Sequence, residues 1–94
     1  MTLLHESPPS LDAVIVGLCA DARLGRTICP TDAAKAYARA RGEDDLAWRS
    51  YLQEVRRTAV GLALAGKLAI YRKGKVVDPK EFRGVYRLGI ASED

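Results

Sequence analysis

Arg49, Ser50, Gln53, Arg56 and Arg57 fall within nine residues, and a second basic group, Arg72, Lys73 and Lys75, surrounds a glycine farther along the chain. Those side chains suit recognition of a nucleic acid. Arginine bonds guanine in two places and glutamine does the same with adenine, while lysine and arginine neutralise phosphates. A plainer reading stands beside it: Arg49, Arg56 and Arg57 pair with Glu54, Asp45 or the acidic C-terminus and only solubilise a helix, each exposed pair contributing about 0–1 kcal/mol.

Catalysis has little to stand on, so an enzyme is not expected and no cofactor is implied. His5 lies close to the start, no serine has a histidine and an acid in evident support, and GRTICPT lacks the GK[ST] ending of a phosphate-binding loop. Cys29 is the one candidate nucleophile, because a helix N-terminus lowers a thiol pKa. A cysteine between a strand and a helix is more often a small buried residue. Cys19, Cys29 and one histidine cannot assemble a four-ligand zinc site. The run Glu43, Asp44, Asp45 admits a metal, but carboxylates at a helix start are far commoner.

The charge is unevenly distributed along the chain. From Arg49 to Arg87 ten Lys or Arg face three acids, a net of +7, whereas the other 55 residues carry five cations and nine acids. Segregated positive charge attracts polyanions; solvation of helix and strand surfaces explains it equally well. Ninety-four residues with 48% hydrophobic content make one domain, able to bury about 60–65% of its extended surface. The start MTLLHESPPS lacks the basic and apolar regions of a signal peptide, and the run AVIVGLCA is too short to span a bilayer, so a cytoplasmic protein with no membrane partner is expected.

These residues need elements to hold them. Residues 1–9 read as an extended or disordered arm ending in two prolines. Ser10 caps a helix whose Leu11, Ile15, Leu18 and Ala22 recur on one face, with Gly25 as its stop. RTIC, residues 26–29, forms a strand only if it pairs later in the chain. Pro30 opens a second helix, with Ala33, Ala36, Tyr37 and Ala40 inward and Gly42 at its end. A third runs from about Leu46 to Ala65, with Trp48, Tyr51, Leu52, Val55, Ala59 and Leu62 on one stripe. Arg49, Gln53, Arg56 and Arg57 fall on the opposite face, joined farther along by Val60 and Leu64. Beyond Gly66 the period becomes extended. Gly74 closes a three-residue hairpin loop, Arg72 to Gly74; Asp78-Pro79-Lys80-Glu81 resembles a capping box for one helical turn; and Val85 to Ile90 is a last strand before a tail, 91–94.

Three helices with a two- or three-stranded antiparallel sheet, in the order α-β-α-α-β-β, make an α+β domain over residues 10–90. The order fits a winged helix-turn-helix with Gly42 to Asp44 as the turn. The segments TICPTDAAKAY, Trp48-Arg49, Val55-Arg56 and GKLAIYRKGKVVDPKEFRGVYRLG resemble a small uncharacterised bacterial domain family, over roughly residues 11 to 90. KGKxVDPxxFxG followed by Arg87-Leu88 is their most specific part. That resemblance implies the winged-helix fold and brings no activity with it. Two functions follow as expectations: duplex DNA binding through Arg49, Ser50, Gln53, Arg56, Arg57, Arg72, Lys73 and Lys75, or a protein-interaction module whose basic hairpin meets an acidic partner. A homodimer through the first helix, or through Val60 and Leu64, is the further partner considered.

Overall fold

Ser10 does begin the first helix: its Oγ accepts the Ala13 N–H at 3.2 Å and its carbonyl the Val14 N–H at 3.0 Å. In the computed structural model, which describes residues 9–22 and 26–90, helix α1 spans Leu11–Ala22. The expected arm, apart from Pro9, lies outside the described residues, as do Gly25 and the tail 91–94. Leu11, Ile15 and Cys19 are buried along α1, with Leu18 and Ala22 packed beside them.

Strand β1, Thr27–Ile28, leads into α2, Pro30–Ala40. The inner face of α2 is Ala33, Ala34 and Ala38, with Tyr37 half-buried and Ala40 exposed. This corrects the expected face by a rotation of about 100° at 100° per residue. Alanine stands on several sides of this helix, so its sequence offers little contrast to fix the phase.

A second correction concerns the third helix, which does not begin as an α-helix at Leu46. Ala47–Tyr51 is a 3-10 turn, and α3 follows over Leu52–Leu64. Asp44 Oδ1 accepts the Leu46 N–H at 3.0 Å, holding the chain in a local turn. Three residues per turn also eclipses Trp48 and Tyr51, so that both reach α2. Lys35 Nζ lies 5.1 Å from the Trp48 ring centroid, and Tyr37 and Tyr51 meet edge to face at 4.9 Å. Tyr51 also donates to both oxygens of Glu43, at 2.7 and 2.9 Å, and Arg41 Nε donates to Glu43 at 3.3 Å. The acidic run thus binds the interhelical turn to the following helix. Val55, Ala59 and Leu62 form the buried stripe of α3, while Leu52 is 37% exposed. Val60 packs against the core within the chain, and Leu64 stays 54% exposed.

Among the described residues four antiparallel strands, where two or three were expected, complete an α+β fold. β2 is Ala69–Arg72, β3 Lys75–Val76 and β4 Arg87–Gly89, in the spatial order β1-β4-β2-β3. The early strand does find its late partner, Ile28 opposite Leu88, and β2 flanks β4 on the other side with Ile70 opposite Leu88. Alternation sends Ile28, Ile70 and Leu88 to the helices, where they are buried. Ile15, Val55, Ile70 and Leu88 are the largest fully buried side chains, each contributing about 1.5–3 kcal/mol by leaving water.

The hairpin loop is shorter than expected. Arg72 pairs with Lys75, leaving only Lys73 and Gly74, at φ +53° and +82°. Left-handed backbone at both positions makes a two-residue type I′ turn, whose twist matches that of the strands. Asp78 Oδ1 accepts the Lys80 N–H at 2.9 Å and the Asp78 carbonyl accepts that of Glu81 at 3.1 Å, but no helix follows this turn. Phe82 is instead drawn into the core a few residues later. The expected strand over 85–90 contracts to 87–89, and Val85 is 84% exposed.

Candidate nucleic-acid interface

The sequence-derived site residues separate into two kinds. Arg49, Ser50, Gln53 and Arg57 are exposed along the 3-10 turn and the first half of α3, and Lys73 and Lys75 are exposed at the hairpin. Ser50 Oγ donates to the Ala47 carbonyl at 2.9 Å, which stabilises the 3-10 turn, and the Arg49 guanidinium lies 5.4 Å from the Trp48 ring. None of the pairs weighed for these arginines occurs among the described residues; the ion pair found there is Arg41–Glu43, at 3.3 Å.

Arg56 and Arg72 are engaged within the chain. Arg56 Nη2 donates to the Phe82 carbonyl at 2.8 Å, and its guanidinium lies 4.0 Å from the Phe82 ring centroid and 5.6 Å from that of Tyr86. From the hairpin side, Arg72 Nε donates to the Val85 carbonyl at 2.9 Å. The segment 82–85 is therefore fastened at one end to α3 and at the other to β2. Arg56 lies toward this segment, not directly opposite the buried stripe with Gln53 and Arg57. Phe82 and Tyr86 meet edge to face at 5.1 Å beneath it. Burial pushes the Tyr86 hydroxyl pKa upward, opposed in part by the positive charge of Arg56.

Between the start of α2, the start of α3 and this segment runs a groove of about 620 Å³, lined by Cys29, Pro30, Leu52, Gln53, Arg56 and Val85 among others. Its lining is mainly apolar. Cys29 is the residue before α2; its N–H is accepted by Asp32 Oδ2 at 3.0 Å, and its Sγ lies 3.6 Å from Thr31 Oγ1. The thiol is half-buried. Among the described residues no three His, Cys, Asp or Glu side chains converge as a metal site, and no helix is long and apolar enough to cross a membrane.

Sequence reasoning missed Arg87. Its Nε donates to Thr27 Oγ1 at 2.6 Å and its Nη2 to the Thr27 carbonyl at 3.0 Å, bridging β4 to β1 across sixty positions of sequence. The available signal was alternation: Tyr86 and Leu88 inward place Arg87 outward, but the identity of its acceptor depends on strand register.

The family described as "Protein of unknown function (DUF3253)" matches residues 8–91. No curated protein matches the chain.

Proposed function

From the premise that the chain belongs to this family of unknown function, we propose an activity on the strength of its surface: a cytoplasmic winged helix-turn-helix protein, not an enzyme, that binds duplex DNA. In this reading the 3-10 turn and the start of α3 enter the major groove, where Arg49, Ser50, Gln53 and Arg57 meet base edges and nearby phosphates. Lys73 and Lys75 lie along the flanking backbone as point charges. Arg56 and Arg72 act differently, as internal ties that brace the hairpin side of the domain against α3. The observation that carries the reading is the exposure of Arg49, Gln53 and Arg57 on one length of helix, followed in sequence by a hairpin with exposed lysines at its tip, Lys73, and just beyond it, Lys75.

One observation favours a second reading, a protein-interaction module. The groove beside Gln53 is apolar and includes Val85 at 84% exposure, a surface better suited to a peptide side chain than to a phosphate. An acidic partner would place its apolar residues there and its carboxylates near the hairpin lysines.

Amide shifts recorded during titration with a short random duplex, at several salt concentrations, separate the two. DNA binding moves residues 49–57 and 73–75, and its affinity falls by about 0.9 log units per log of salt for each phosphate neutralised. Unmoved amides in those segments, or a response indifferent to salt, sinks the DNA reading. Shifts confined to Leu52 and Val85 on adding an acidic protein carry the second.

A further inference from the structure

On the sheet face turned away from the helices, alternation brings Thr27, Tyr71 and Arg87 together, with Tyr71 directly opposite Arg87 in the register. A recess of about 320 Å³ opens at this place, within the range of small-ligand sites. Among the described residues four cationic ones line it, Arg26, Arg72, Lys73 and Arg87, and no carboxylate does. Like charges gathered in one concavity repel one another, and an anion placed among them relieves that repulsion.

Two of those cations are held in place before any ligand arrives. Arg87 is fixed by its two bonds to Thr27, which occupy two of its five N–H donors and leave three. Arg72 is held through Nε by the Val85 carbonyl, leaving both terminal nitrogens. A guanidinium fixed by one edge loses little side-chain entropy when another edge takes an oxyanion, which is the condition for strong charge-assisted bonds. Tyr71 borders the recess, its hydroxyl donating to the Ile90 carbonyl at 3.2 Å, so its ring is also held.

We propose that this recess binds the phosphate or diphosphate group of a small organic molecule. Arg87 and Arg26 grip the oxyanion from the β1 side and Lys73 from the hairpin tip, and the Tyr71 ring meets the adjoining part of the ligand. The site does not rest on the DNA reading, which uses the exposed length of α3 and the two hairpin lysines; the two share only Lys73.

Inorganic pyrophosphate is the probe, titrated at constant ionic strength while backbone amides are followed by NMR. Saturable shifts are expected at Arg26, Thr27, Tyr71 and Arg87, with Arg49 and Arg57 unmoved. Arg87→Gln should weaken binding about tenfold or more, the loss of a charge-assisted contact. Arg26 makes no side-chain hydrogen bond among the described residues, so Arg26→Gln keeps the test valid if Arg87→Gln does not fold. It should weaken pyrophosphate severalfold with an unchanged melting temperature. Shifts that fail to saturate, an equal response at Arg49 and Arg57, or unaltered affinity in Arg26→Gln would overturn the assignment. So would displacement of pyrophosphate by a short duplex, which would give the recess to the nucleic-acid backbone instead.

Discussion

Arg56 of α3 donates to the backbone carbonyl of Phe82 at 2.8 Å while its guanidinium lies 4.0 Å from the ring of that same residue. One side chain thus holds both the backbone and the ring of a core residue that belongs to no strand or helix. A hydrogen bond from a charged donor contributes about 1.5–3 kcal/mol and a cation–π contact about 0.5–1 kcal/mol or more, and the two share one guanidinium. Arg56→Ala is expected to lower unfolding free energy by about 2 kcal/mol, measured by urea denaturation, with the largest amide shifts over residues 82–86. Arg56→Lys should recover part of the loss. A variant as stable as the parent would show that Arg56 is available for other work.

The hairpin offers a change in the opposite direction. Lys73 occupies the left-handed region at φ +53°, which costs a residue with an ordinary Cβ about 1 kcal/mol and costs asparagine less. Lys73→Asn should therefore raise unfolding free energy by about 0.5 kcal/mol while removing one cation from the tip. If the DNA reading holds, the same variant binds random duplex more weakly and with a shallower salt slope. Gain of stability together with loss of affinity would separate the two roles of this residue.

Gly89 is a third point of commitment. A Cβ there would sit 3.0 Å from the Arg26 carbonyl, 3.2 Å from Thr27 Cγ2 and 3.2 Å from Tyr71 Cε1. Two of these contacts come from β1 and its approach, in direct register with Gly89, and the third from the ring that lies diagonally across on β2. Gly89→Ala should destabilise by about 1–3 kcal/mol through overpacking, despite the better fit of alanine to a strand. Thermal unfolding checks this, and an unchanged midpoint would mean that β1 moves aside freely.

How far the sequence discloses this architecture depends on contrast between neighbouring residues. Leu11, Ile15 and Cys19 stand out against Asp12 and Asp21, and Val55 and Leu62 against Arg56 and Arg57, so α1 and the stripe of α3 were legible. In α2 alanine recurs at 33, 34, 36, 38 and 40, and the inward face could not be phased. The 3-10 turn depends on a local bond to Asp44 and on two aromatic contacts with α2, and those two are tertiary. For the site, residue types reveal where cations accumulate but not what they touch. Arg56 and Arg72 find carbonyls 26 and 13 positions away, and every residue offers the same carbonyl, so no side-chain pattern announces those partners.

Cys19 supplies a pH dependence that belongs to the core alone. It is 3% exposed, and burial pushes its thiol up to about 11 from 9.0, because the thiolate would be stranded among apolar groups. Between those values the unfolded chain releases the proton while the folded chain keeps it, so the unfolded state binds fewer protons and stability falls with rising pH. The contribution is fully present below pH 9 and is lost as pH rises through 11, amounting in all to about 2–3 kcal/mol at 1.36 kcal/mol per unit. Tyr86, whose hydroxyl is also raised by burial, steepens the fall at higher pH, which is why the comparison must be with a variant. Cys19→Ala should be less stable by about 1 kcal/mol at pH 8 from the volume removed, yet lose less than the parent between pH 9 and 11. Urea midpoints across that interval decide it: parallel curves for parent and variant would show that the Cys19 thiol ionises as readily folded as unfolded.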